Sequence, residues 1–450
     1  MSDLLLGIDV GTTNCKAAVV DAAGAERAHG RAPTPWREVP TGAEAEPEAL
    51  VDAALAAARA ALSRAPDGRV VAVGVTSMAE TGALLDRRGR PLAPAIVWHD
   101  ERGGEEAERI AAELGESHFV EATGLPASPL CTLAKLRWLL ERRPAARAAA
   151  RWLNVSEWVV RRLGGRDASE LSLASRTGLL DLRSRTPSAE ALAWAGLPSG
   201  LIGELVVAGT PLGRVGRDAL PEAEGAVLTV AGHDHLCAGV GAGVVAPGDV
   251  LDSCGTAEAL VRVVAPPVDG AAVRRSVAGG VTVGWHVTEG RQALLGAVWT
   301  GLALGEVLDA LGVHRTARDE FDRRALAAAG APPIQLDLDS FHRSAPQLPD
   351  GASAEEVWRG ATRSAAARIE SVLAHIEAVA GPRRRLVLTG GWAQSEALLA
   401  AKDRLGPLER PPVVEAGARG AALTGGVAAG LFESIEALPP IPTPVPAGRS

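Results

Sequence analysis

The amino-acid chain has 450 residues, of which 47% are hydrophobic and 22% are charged, and its formal net charge is -8. This length exceeds one ordinary hydrophobic core and predicts two large domains, while the apolar content excludes a chain that is disordered throughout. The acidic balance, with no block of Lys or Arg, excludes nucleic acid and anionic membrane surfaces as expected partners.

The cysteines and the N-terminal residues indicate the compartment. Cys15, Cys131, Cys237 and Cys254 lie far apart and form neither a CxxC pair nor a zinc-binding spacing, which favours reduced thiols. The chain has no basic-then-apolar signal at its N-terminus and no apolar run near the roughly 20 residues of a membrane span. We therefore expect a soluble, cytoplasmic protein.

The first elements in chain order predict an α/β domain. Residues 4–10 and 16–21 have the apolar character of strands, and a Gly-Thr-Thr turn joins them into a hairpin. An Ala-rich helix opens at Glu46-Pro47-Glu48 and keeps apolar residues at helical spacing up to Leu62. A buried strand follows at 70–75. Strands that alternate with helices in this way favour an α/β domain with a mostly central sheet.

We divide the chain into two domains and a tail. The first domain spans residues 1–228, and the second spans residues 229–430, beginning where "AVLTVAGHDHLCAGVGAGVV" changes from a strand to a small-residue helix. Pro266-Pro267, Pro332-Pro333 and the stretch 339–353 predict loops in the second domain. Residues 431–450 are too rich in proline to pack as an element and are expected to form a loose tail.

Two segments share one pattern of apolar strand, Gly-Thr turn and second apolar strand. They are "DVGTTNCKAAVV" near the N-terminus and "DSCGTAEALVRVV" at residues 252–264. Such a turn points backbone N–H groups into one concavity and adds Thr hydroxyls, which suits phosphate oxygens. A plain β-hairpin is the alternative for either segment alone. The repetition favours one phosphate-binding hairpin in each domain.

Small and charged residues surround the first turn. Asp9 would repel a phosphate directly, so its useful role is to hold water on a Mg²⁺ that bridges the phosphates. Lys16 adds a point charge for the terminal phosphate. Gly11 lets the backbone approach closely.

The segment "AGHDHLCAGVG" places Asp234 at the end of a predicted strand. Two compatible interpretations exist for Asp234: the N-cap of the following helix, and a general base that accepts a hydroxyl proton during attack on phosphorus. His233 and His235 raise the alternative of a metal site. If the segment stayed extended, alternate side chains would face opposite ways, so both histidines and Asp234 could not share one metal.

A further strand, double-Gly turn and helix occur in "VLTGGWAQSEALLAAKDRL", and "EAGARGAALTGGVAAG" follows with small residues at helical spacing. Gly390 and Gly391 would let a flat base or a ribose lie close to the backbone. Small residues of the second segment would leave space on the opposite side of the base or ribose; they are Gly417, Gly420, Ala421 and Ala422. The alternative is tight helix packing.

The first domain also carries a mixture of polar groups and an apolar plate. Glu80, Trp98, Asp100 and Arg102 would suit a polyhydroxylated ligand. For Asp100 and Arg102 the alternative is a surface salt bridge. Lys135 lies on an otherwise apolar helix and is interpreted as a solvated or capping cation.

Taken together, these motifs resemble the FGGY carbohydrate kinases, a family of the actin, sugar kinase and heat-shock chaperone ATPase superfamily. "GIDVGTTNCKAAVVD" looks like the first phosphate motif, "GHD" the catalytic segment, "SCGTAE" the second phosphate motif, and "LTGGWAQSEALLAAKDRL…EAGARGAAL" the adenosine motif. The resemblance spans nearly the whole chain. It implies an α/β protein with two actin-like (ribonuclease H-like) domains flanking a deep cleft, and closure of that cleft on binding.

By that resemblance the residues take family roles. Asp234 is the catalytic base, and Asp9 and Asp234 position Mg²⁺. The expected ATP contacts are Gly11, Thr12, Thr13, Lys16, Gly255, Thr256, Gly390 and Gly391, and the expected sugar contacts are Glu80, Trp98, Asp100 and Asp234. The domain 1–228 would hold mainly the sugar, and 229–430 mainly the nucleotide.

The sugar-site residues depart from the xylulose kinases that the chain otherwise resembles. Ala79-Glu80 stands where those enzymes commonly have Met-His, whereas glycerol kinases have Arg-Glu, so that Glu80 matches and Ala79 does not. The His before Asp234 is more similar to the deoxy-sugar kinases. The segment between Leu399 and Val414 is shorter than usual in the family.

The leading hypothesis is an ATP- and Mg²⁺-dependent kinase that phosphorylates a hydroxyl of a ketose, a sugar acid or a polyol. One alternative is an actin-like ATP-binding regulator without sugar kinase activity, and a second is a metal-dependent hydrolase built on the His-Asp-His cluster. The expected partners are the carbohydrate and ATP, and a homodimer is left open.

Overall fold

The computed structural model describes residues 2–265, 268–314, 317–339 and 346–441. The predicted Pro266-Pro267 loop, the middle of the predicted loop at 339–353 and the last residues of the predicted tail lie outside these ranges. Across the described ranges, no helix is both long enough and apolar enough to cross a membrane.

The first part of the chain contains fifteen strands among its described residues. They are β1 (Ser2–Val10), β2 (Asn14–Asp21), β3 (Glu26–Pro33), β4 (Arg37–Val39), β5 (Gly42–Ala45), β6 (Gly68–Ser77), β7 (Gly82–Leu85), β8 (Ala95–Ile96), β9 (Arg151–Asn154), β10 (Ser169–Glu170), β11 (Leu180–Asp181), β12 (Thr186–Pro187), β13 (Leu205–Val206), β14 (Gly213–Arg214) and β15 (Val227–His233). The α-helices are α1 (Pro47–Leu62), α2 (Gly104–Ile110), α3 (Glu116–Thr123), α4 (Thr132–Arg142), α5 (Val155–Arg162), α6 (Leu171–Ala174) and α7 (Ala189–Ala195).

The second part follows the same alternation. Its strands are β16 (Asp249–Cys254), β17 (Glu258–Val264), β18 (Val281–Trp285), β19 (Gln292–Val298), β20 (Arg385–Thr389) and β21 (Leu408–Glu409). Its α-helices are α8 (Asp234–Gly241), α9 (Gly270–Ala278), α10 (Thr300–Ala310), α11 (Arg318–Leu326), α12 (Ala354–Ala380), α13 (Glu396–Lys402) and α14 (Ala416–Ala428).

Two six-stranded sheets share the same arrangement of their three central strands. The first has the order β14-β15-β6-β1-β2-β3 and the second β18-β19-β17-β16-β20-β21. In each, a central strand pairs antiparallel with the strand that follows it in the chain and parallel with a later strand: β1 with β2 and β6, and β16 with β17 and β20. The two predicted Gly-Thr turns therefore occupy equivalent places, each between the central strand and its antiparallel neighbour.

The local predictions at the N-terminus are confirmed. The predicted strands 4–10 and 16–21 lie within β1 and β2, and the predicted helix is α1, with proline in its first turn and nine buried, mostly Ala and Leu, residues. Burial of a continuous small-residue face lets α1 approach the sheet closely, since a Cβ placed on Gly30 of β3 would lie 2.0 Å from the carbonyl oxygen of Ala57.

Helices α8 and α14 cross each other, and α14 lies directly against the first sheet. A Cβ on Gly7 of β1 would lie 1.8 Å from the carbonyl oxygen of Ala418, and one on Gly420 would lie 2.0 Å from that of Cys237 in α8. These helices pack backbone against backbone because their residues are small. Gly417, Gly420, Ala421 and Ala422 are buried in this contact, which supports the helix-packing interpretation of that segment.

The domain limits at 228 and 430 stay a prediction, and two observations bear on them. Strand β15 continues the first sheet to His233 by pairing parallel with β6. The described part of the predicted tail, 431–441, is not loose, because Ile435 is buried and packs in a core cluster with residues of α8 and β16.

Candidate active site

The first Gly-Thr turn is fixed by a hydrogen bond within it and by two more from the residues after β3. The amide of Gly11 donates to the carbonyl oxygen of Asn14 at 3.2 Å, and the Thr34 hydroxyl donates to the Gly11 carbonyl oxygen at 2.8 Å. The indole of Trp36 donates to the Thr12 carbonyl oxygen at 2.6 Å. Thr13 is exposed at the tip of the turn. The turn is thus a fixed loop with Thr13 facing solvent.

Asp9 is placed at the carboxyl end of β1, directly before this turn. Its Oδ1 atom is buried and has no hydrogen-bond partner among the described residues. Burial, and next the negative charge of Asp234, raises the pKa of Asp9 to about 7. Gly417 of α14 lies close by, since a Cβ there would be 2.4 Å from Asp9 Oδ2. The carboxylate therefore occupies a tight, buried site between β1 and α14.

Lys16 faces Asp9 across the hairpin, with the two residues in register on β2 and β1. Its ammonium group pairs with Glu415 at 2.7 Å, and Arg31 pairs with the other oxygen of Glu415 at 3.1 Å. Glu415 precedes α14. Lys16 is near the turn as predicted, but in this structure its charge is directed to a carboxylate.

Asp234 begins α8 where β15 ends, and its side chain keeps 21% exposure. Its Oδ1 accepts a hydrogen bond from the amide of His235 at 2.7 Å and lies 3.2 Å from Nε2 of His233. Burial lowers the pKa of His233 to about 3, so the ring is neutral. Asp234 is accessible while its position is fixed from two sides.

The histidine pair differs from the expectation of an extended segment. Helix α8 starts at Asp234, and the rings of His233 and His235 are 5.5 Å apart and perpendicular, because the turn into the helix brings them together. Even so, in the part of the chain that the structure describes, these residues do not form a three-ligand metal cluster.

The second Gly-Thr turn lies between the Gly390-Gly391 turn and α10. A Cβ on Gly390, which has a φ of +94°, would lie 2.5 Å from the carbonyl oxygen of Cys254, so only glycine fits beside this hairpin. Gly391 is open, with no atom near its Cβ position. The amide of Leu302 in α10 donates to the Thr256 carbonyl oxygen at 3.0 Å. Thr256 is exposed.

A buried charge cluster lies at the base of this second hairpin. Lys402, at the end of α13, is fully buried; its ammonium group contacts Asp252 at 2.5 Å, Glu258, and the Cys254 sulfur at 3.4 Å. Burial opposes the charge most strongly, but the carboxylates of Asp252 and Glu258 raise the pKa of Lys402. The ammonium group thus ties both strands of the hairpin to α13.

Glu80 is one of two non-glycine residues with positive φ (+57°) within the described ranges. Such backbone strain clusters at functional sites. The guanidinium of Arg176 donates to Glu80 Oε1 at 2.7 Å and to the Thr282 hydroxyl of β18 at 2.7 Å. Glu80 is therefore connected through one arginine to the second sheet.

Trp98 contacts both halves of the molecule. Its indole N–H donates to the Thr12 hydroxyl at 2.8 Å, and its ring stacks on that of Trp299 with centroids 5.1 Å apart. Its ring is partly exposed. Trp98 thus lies beside the first turn.

Asp100 and Arg102 form a buried, bidentate pair. The guanidinium donates to both carboxylate oxygens at 2.8 and 2.7 Å, and the amide of Ala43 donates to Asp100 Oδ2 at 2.9 Å. Arg102 also pairs with Glu44 at 2.8 Å. This supports the salt-bridge interpretation over a sugar contact, although the pair is in the interior and not on the surface.

The interpretation of Lys135 as solvated is wrong. The residue is 3% exposed, and its ammonium group donates to the carbonyl oxygen of Trp98. Burial lowers the pKa of Lys135 to about 8. The apolar helix α4 thus directs Lys135 into the interior, where its ammonium group supports the loop that holds Trp98.

Comparison with known proteins identifies the family of this chain. Residues 4–241, just over half of the chain, match the model of the FGGY family of carbohydrate kinases, N-terminal domain. A glycerol kinase from Aromatoleum aromaticum is 32% identical over an alignment of 473 positions, which covers 96% of this chain and 92% of that protein. The chain belongs to the FGGY family of carbohydrate kinases. A glycerol kinase from Rhizorhabdus wittichii is 31% identical, with 97% of this chain and 91% of that protein covered.

Solved structures confirm the fold of this FGGY kinase. A xylulose kinase from Rhodospirillum rubrum has a TM-score of 0.81 and 25% identity, with 99% of this chain and 95% of that chain covered. A gluconate kinase from Lactobacillus acidophilus has a TM-score of 0.84 and 18% identity, with 97% and 91% covered. The predicted α/β architecture of two actin-like domains flanking a cleft is therefore confirmed, and the chain is a carbohydrate kinase.

The sequence analysis missed four residues of this site in the FGGY kinase: Lys402, Glu415, Arg176 and Trp299. A signal for Lys402 exists, because lysine occurs only at positions 16, 135 and 402, and all three side chains lie at the site. The other three carry no local signal, since each partner is more than 90 positions away in the chain.

Proposed function

We propose that the chain transfers the γ-phosphoryl group of ATP to a hydroxyl of a small polyol, ketose or sugar acid, with Asp234 as the general base. The observation that carries this proposal is the placement of two carboxylates, because Asp9 near the end of β1 and Asp234 directly after β15 lie on parallel strands on either side of β6. Both residues lie at the carboxyl ends of strands of one sheet, which is where α/β sheets bind ligands. One carboxylate beside a phosphate turn and a second, accessible one nearby suit a kinase.

The geometry of Asp234 suits proton acceptance. One of its oxygens is held by the His235 amide, which leaves the other to accept a hydrogen bond from an acceptor hydroxyl. As that hydroxyl oxygen attacks phosphorus, its proton passes to the carboxylate, and a fixed base contributes about 10²–10⁴-fold to such a step. Because the His233 ring is neutral, it places no positive charge beside Asp234 that would oppose the arrival of the proton.

ATP is proposed to lie between the two Gly-Thr turns. Thr12 and Thr13 would donate to phosphate oxygens from one side and Thr256 from the other, Gly11 and Gly255 would let the phosphates approach the backbone closely, and Gly390 and Gly391 would face the nucleoside. We infer that the half before about residue 228 holds mainly the acceptor and the half after it mainly the nucleotide. Lys16 would exchange Glu415 for the terminal phosphate.

The residues present fit Mg²⁺. Asp9 offers a buried oxygen without a hydrogen-bond partner among the described residues, and its pKa is raised in the way that a nearby cation would reverse. Asp9 would hold the ion, with Asp234 as the second carboxylate, through oxygen ligands that Mg²⁺ prefers. When bound, the ion neutralises charge on the phosphates.

Glycerol is the first acceptor to test. The relatives at 31–32% identity carry the name glycerol kinase, and Glu80 matches the Arg-Glu pattern of that group. D-xylulose and D-gluconate represent the ketose and the sugar acid.

The test compares Asp234→Asn with the parent in a coupled assay of ADP release with Mg²⁺, ATP and each acceptor. We expect a loss of about 10²–10⁴-fold in kcat, because Asn keeps the shape but cannot take the proton. Asp218→Asn, at an exposed position, is the matched control. Parent-like turnover by Asp234→Asn would remove the base, and ATP binding without stimulation by any acceptor would favour the regulator.

A further inference from the structure

An aromatic contact joins the two halves of the kinase. Trp98 follows β8 in the first half and Trp299 follows β19 in the second, directly before α10. Their rings are nearly parallel, with an interplanar angle of 6° and centroids 5.1 Å apart. The ring of His99 lies edge-on to both, at 5.1 and 6.1 Å. We call this pair of indoles the Trp98–Trp299 stack.

On the first side, the stack is fixed to the first phosphate turn. The Trp98 indole donates to the hydroxyl of Thr12 at 2.8 Å, and the Trp36 indole donates to the carbonyl oxygen of the same residue at 2.6 Å. The buried ammonium group of Lys135 supports the Trp98 carbonyl oxygen. The position of the Trp98 ring is therefore coupled to the position of Thr12.

On the second side, the stack is fixed to the second phosphate turn. The amide of Trp299 donates to the carbonyl oxygen of Leu338 at 2.9 Å, and Leu302 in the next helix donates to Thr256 at 3.0 Å. Between them, Gly301 lies so close to the Gly255 carbonyl oxygen that a Cβ would be 2.0 Å from it. A continuous set of contacts thus runs from Thr12 through the two indoles to Thr256.

We propose that Trp299 is a positioning and specificity-determining residue: stacked on Trp98, it holds the two phosphate turns at a set separation and closes the cleft to water and to bulky acceptors. This inference rests on the proposed kinase function. Opening the cleft separates the two rings, and an offset-stacked aromatic pair shifts such an equilibrium by about 2- to 13-fold beyond its buried area.

Two consequences follow for catalysis. A cleft that stays closed keeps water from the γ-phosphate, so ATP is not hydrolysed in place of transfer. Trp299 also covers one face of the Trp98 ring, and that face is then closed to an acceptor. The remaining space favours glycerol over the longer D-xylulose and D-gluconate.

The experiment compares Trp299→Phe, Trp299→Leu and Trp299→Ala with the parent. The first measurement is the hydrolysis-to-transfer ratio at saturating Mg²⁺ and ATP, which is the ADP formed in excess of glycerol phosphorylated, divided by the glycerol phosphorylated. We expect this ratio to rise about 2- to 13-fold in the Leu and Ala variants and to stay near the parent value in the Phe variant, which keeps a ring. Trp194→Ala is the matched control, because Trp194 contacts Arg137 and Glu113 in the first half.

The second measurement is acceptor preference. We expect the Ala variant to lose discrimination between glycerol and D-gluconate, measured as the ratio of their kcat/KM values, while the Phe variant retains it. A merely structural role would lower both kcat/KM values together and leave both the preference and the hydrolysis-to-transfer ratio unchanged. That result would overturn the proposal.

Circular dichroism tests the stack itself, because two stacked indoles give a coupled exciton signal that the Leu and Ala variants should lose. An unchanged signal in both variants would overturn the proposal. If the parent phosphorylates none of the three acceptors, the kinase function fails separately, and the rate of ATP hydrolysis then decides. A faster rate in the Ala variant supports closure by Trp299, and an unchanged rate contradicts it.

Discussion

Lys402→Met tests whether the buried charge cluster holds the second Gly-Thr hairpin, β16 and β17. The ammonium group is fully buried and contacts both Asp252 on β16 and Glu258 on β17. Methionine has a similar length and no charge, so the substitution removes the cation while leaving little space unfilled. Two carboxyl groups then share a buried site without a counter-ion.

The expected loss follows from that geometry. Removing one partner of a buried ion pair typically costs about 3–5 kcal/mol, because the remaining charge is neither solvated nor paired. Protonation of Glu258 limits the loss, since burial already raises its pKa. The second substitution Asp252→Asn in the same chain removes the stranded charge and should restore much of the stability, as whole-pair replacement often does.

The assay is equilibrium unfolding in urea followed by tryptophan fluorescence. Lys16→Met is the matched control, because that lysine is 32% exposed in its pair with Glu415 and such pairs contribute about 0–1 kcal/mol. If Lys402→Met unfolds at the same urea concentration as Lys16→Met, or if Asp252→Asn does not improve it, then the cluster does not stabilise the hairpin in the way described.

Two further predictions concern other charges. Glu415→Gln should lower the KM for ATP by up to about fivefold with kcat unchanged, because it frees Lys16 from a partly exposed pair; an unchanged or higher KM in steady-state kinetics would contradict this. Burial raises the pKa of Glu157 to about 8, so the folded state retains a proton that the unfolded state loses above about 4.5. The free energy of unfolding of the parent should therefore fall as the pH rises from about 4.5 to 8. In Glu157→Gln the total fall over this range should be smaller by up to about 5 kcal/mol. Equal slopes in urea titrations from pH 5 to 8 would contradict it.

The sequence predicts those parts of the site that depend on local chemistry. The Gly-Thr turns, the strand before each turn and the position of Asp234 at a strand end follow from turn residues and apolar runs that are close in the chain. The repetition of the hairpin predicts one phosphate-binding hairpin in each domain. The two sheets place these hairpins equivalently, each formed by a central strand and its antiparallel neighbour.

Partners that come from distant parts of the chain could not be predicted in this way. Asp100 and Arg102 look like exposed polar residues until β5 covers them with the Ala43 amide and Glu44. Likewise, no residue close to Lys16 in the sequence indicates its partner Glu415, which lies 399 positions further along the chain. In each case the tertiary fold decides whether a charged side chain faces solvent, a ligand or a buried counter-ion.

The lysines show how composition can carry information that motifs do not. Only three of the 46 basic residues are lysines, and they lie beside the first Gly-Thr turn, behind Trp98 and beneath the second Gly-Thr turn. Arginine forms many ion pairs of this chain, including the buried pair of Arg102 with Asp100, but its planar guanidinium is larger and presents its donors in a fixed fork. Lys402 is enclosed by Asp252, Glu258 and the Cys254 sulfur, where a compact ammonium group can direct its donors to all three. Lysine is rare in this chain and is thus found where its particular shape is required. A rare basic residue on an apolar helix therefore indicates a buried charge at the site better than the pattern of the helix alone does.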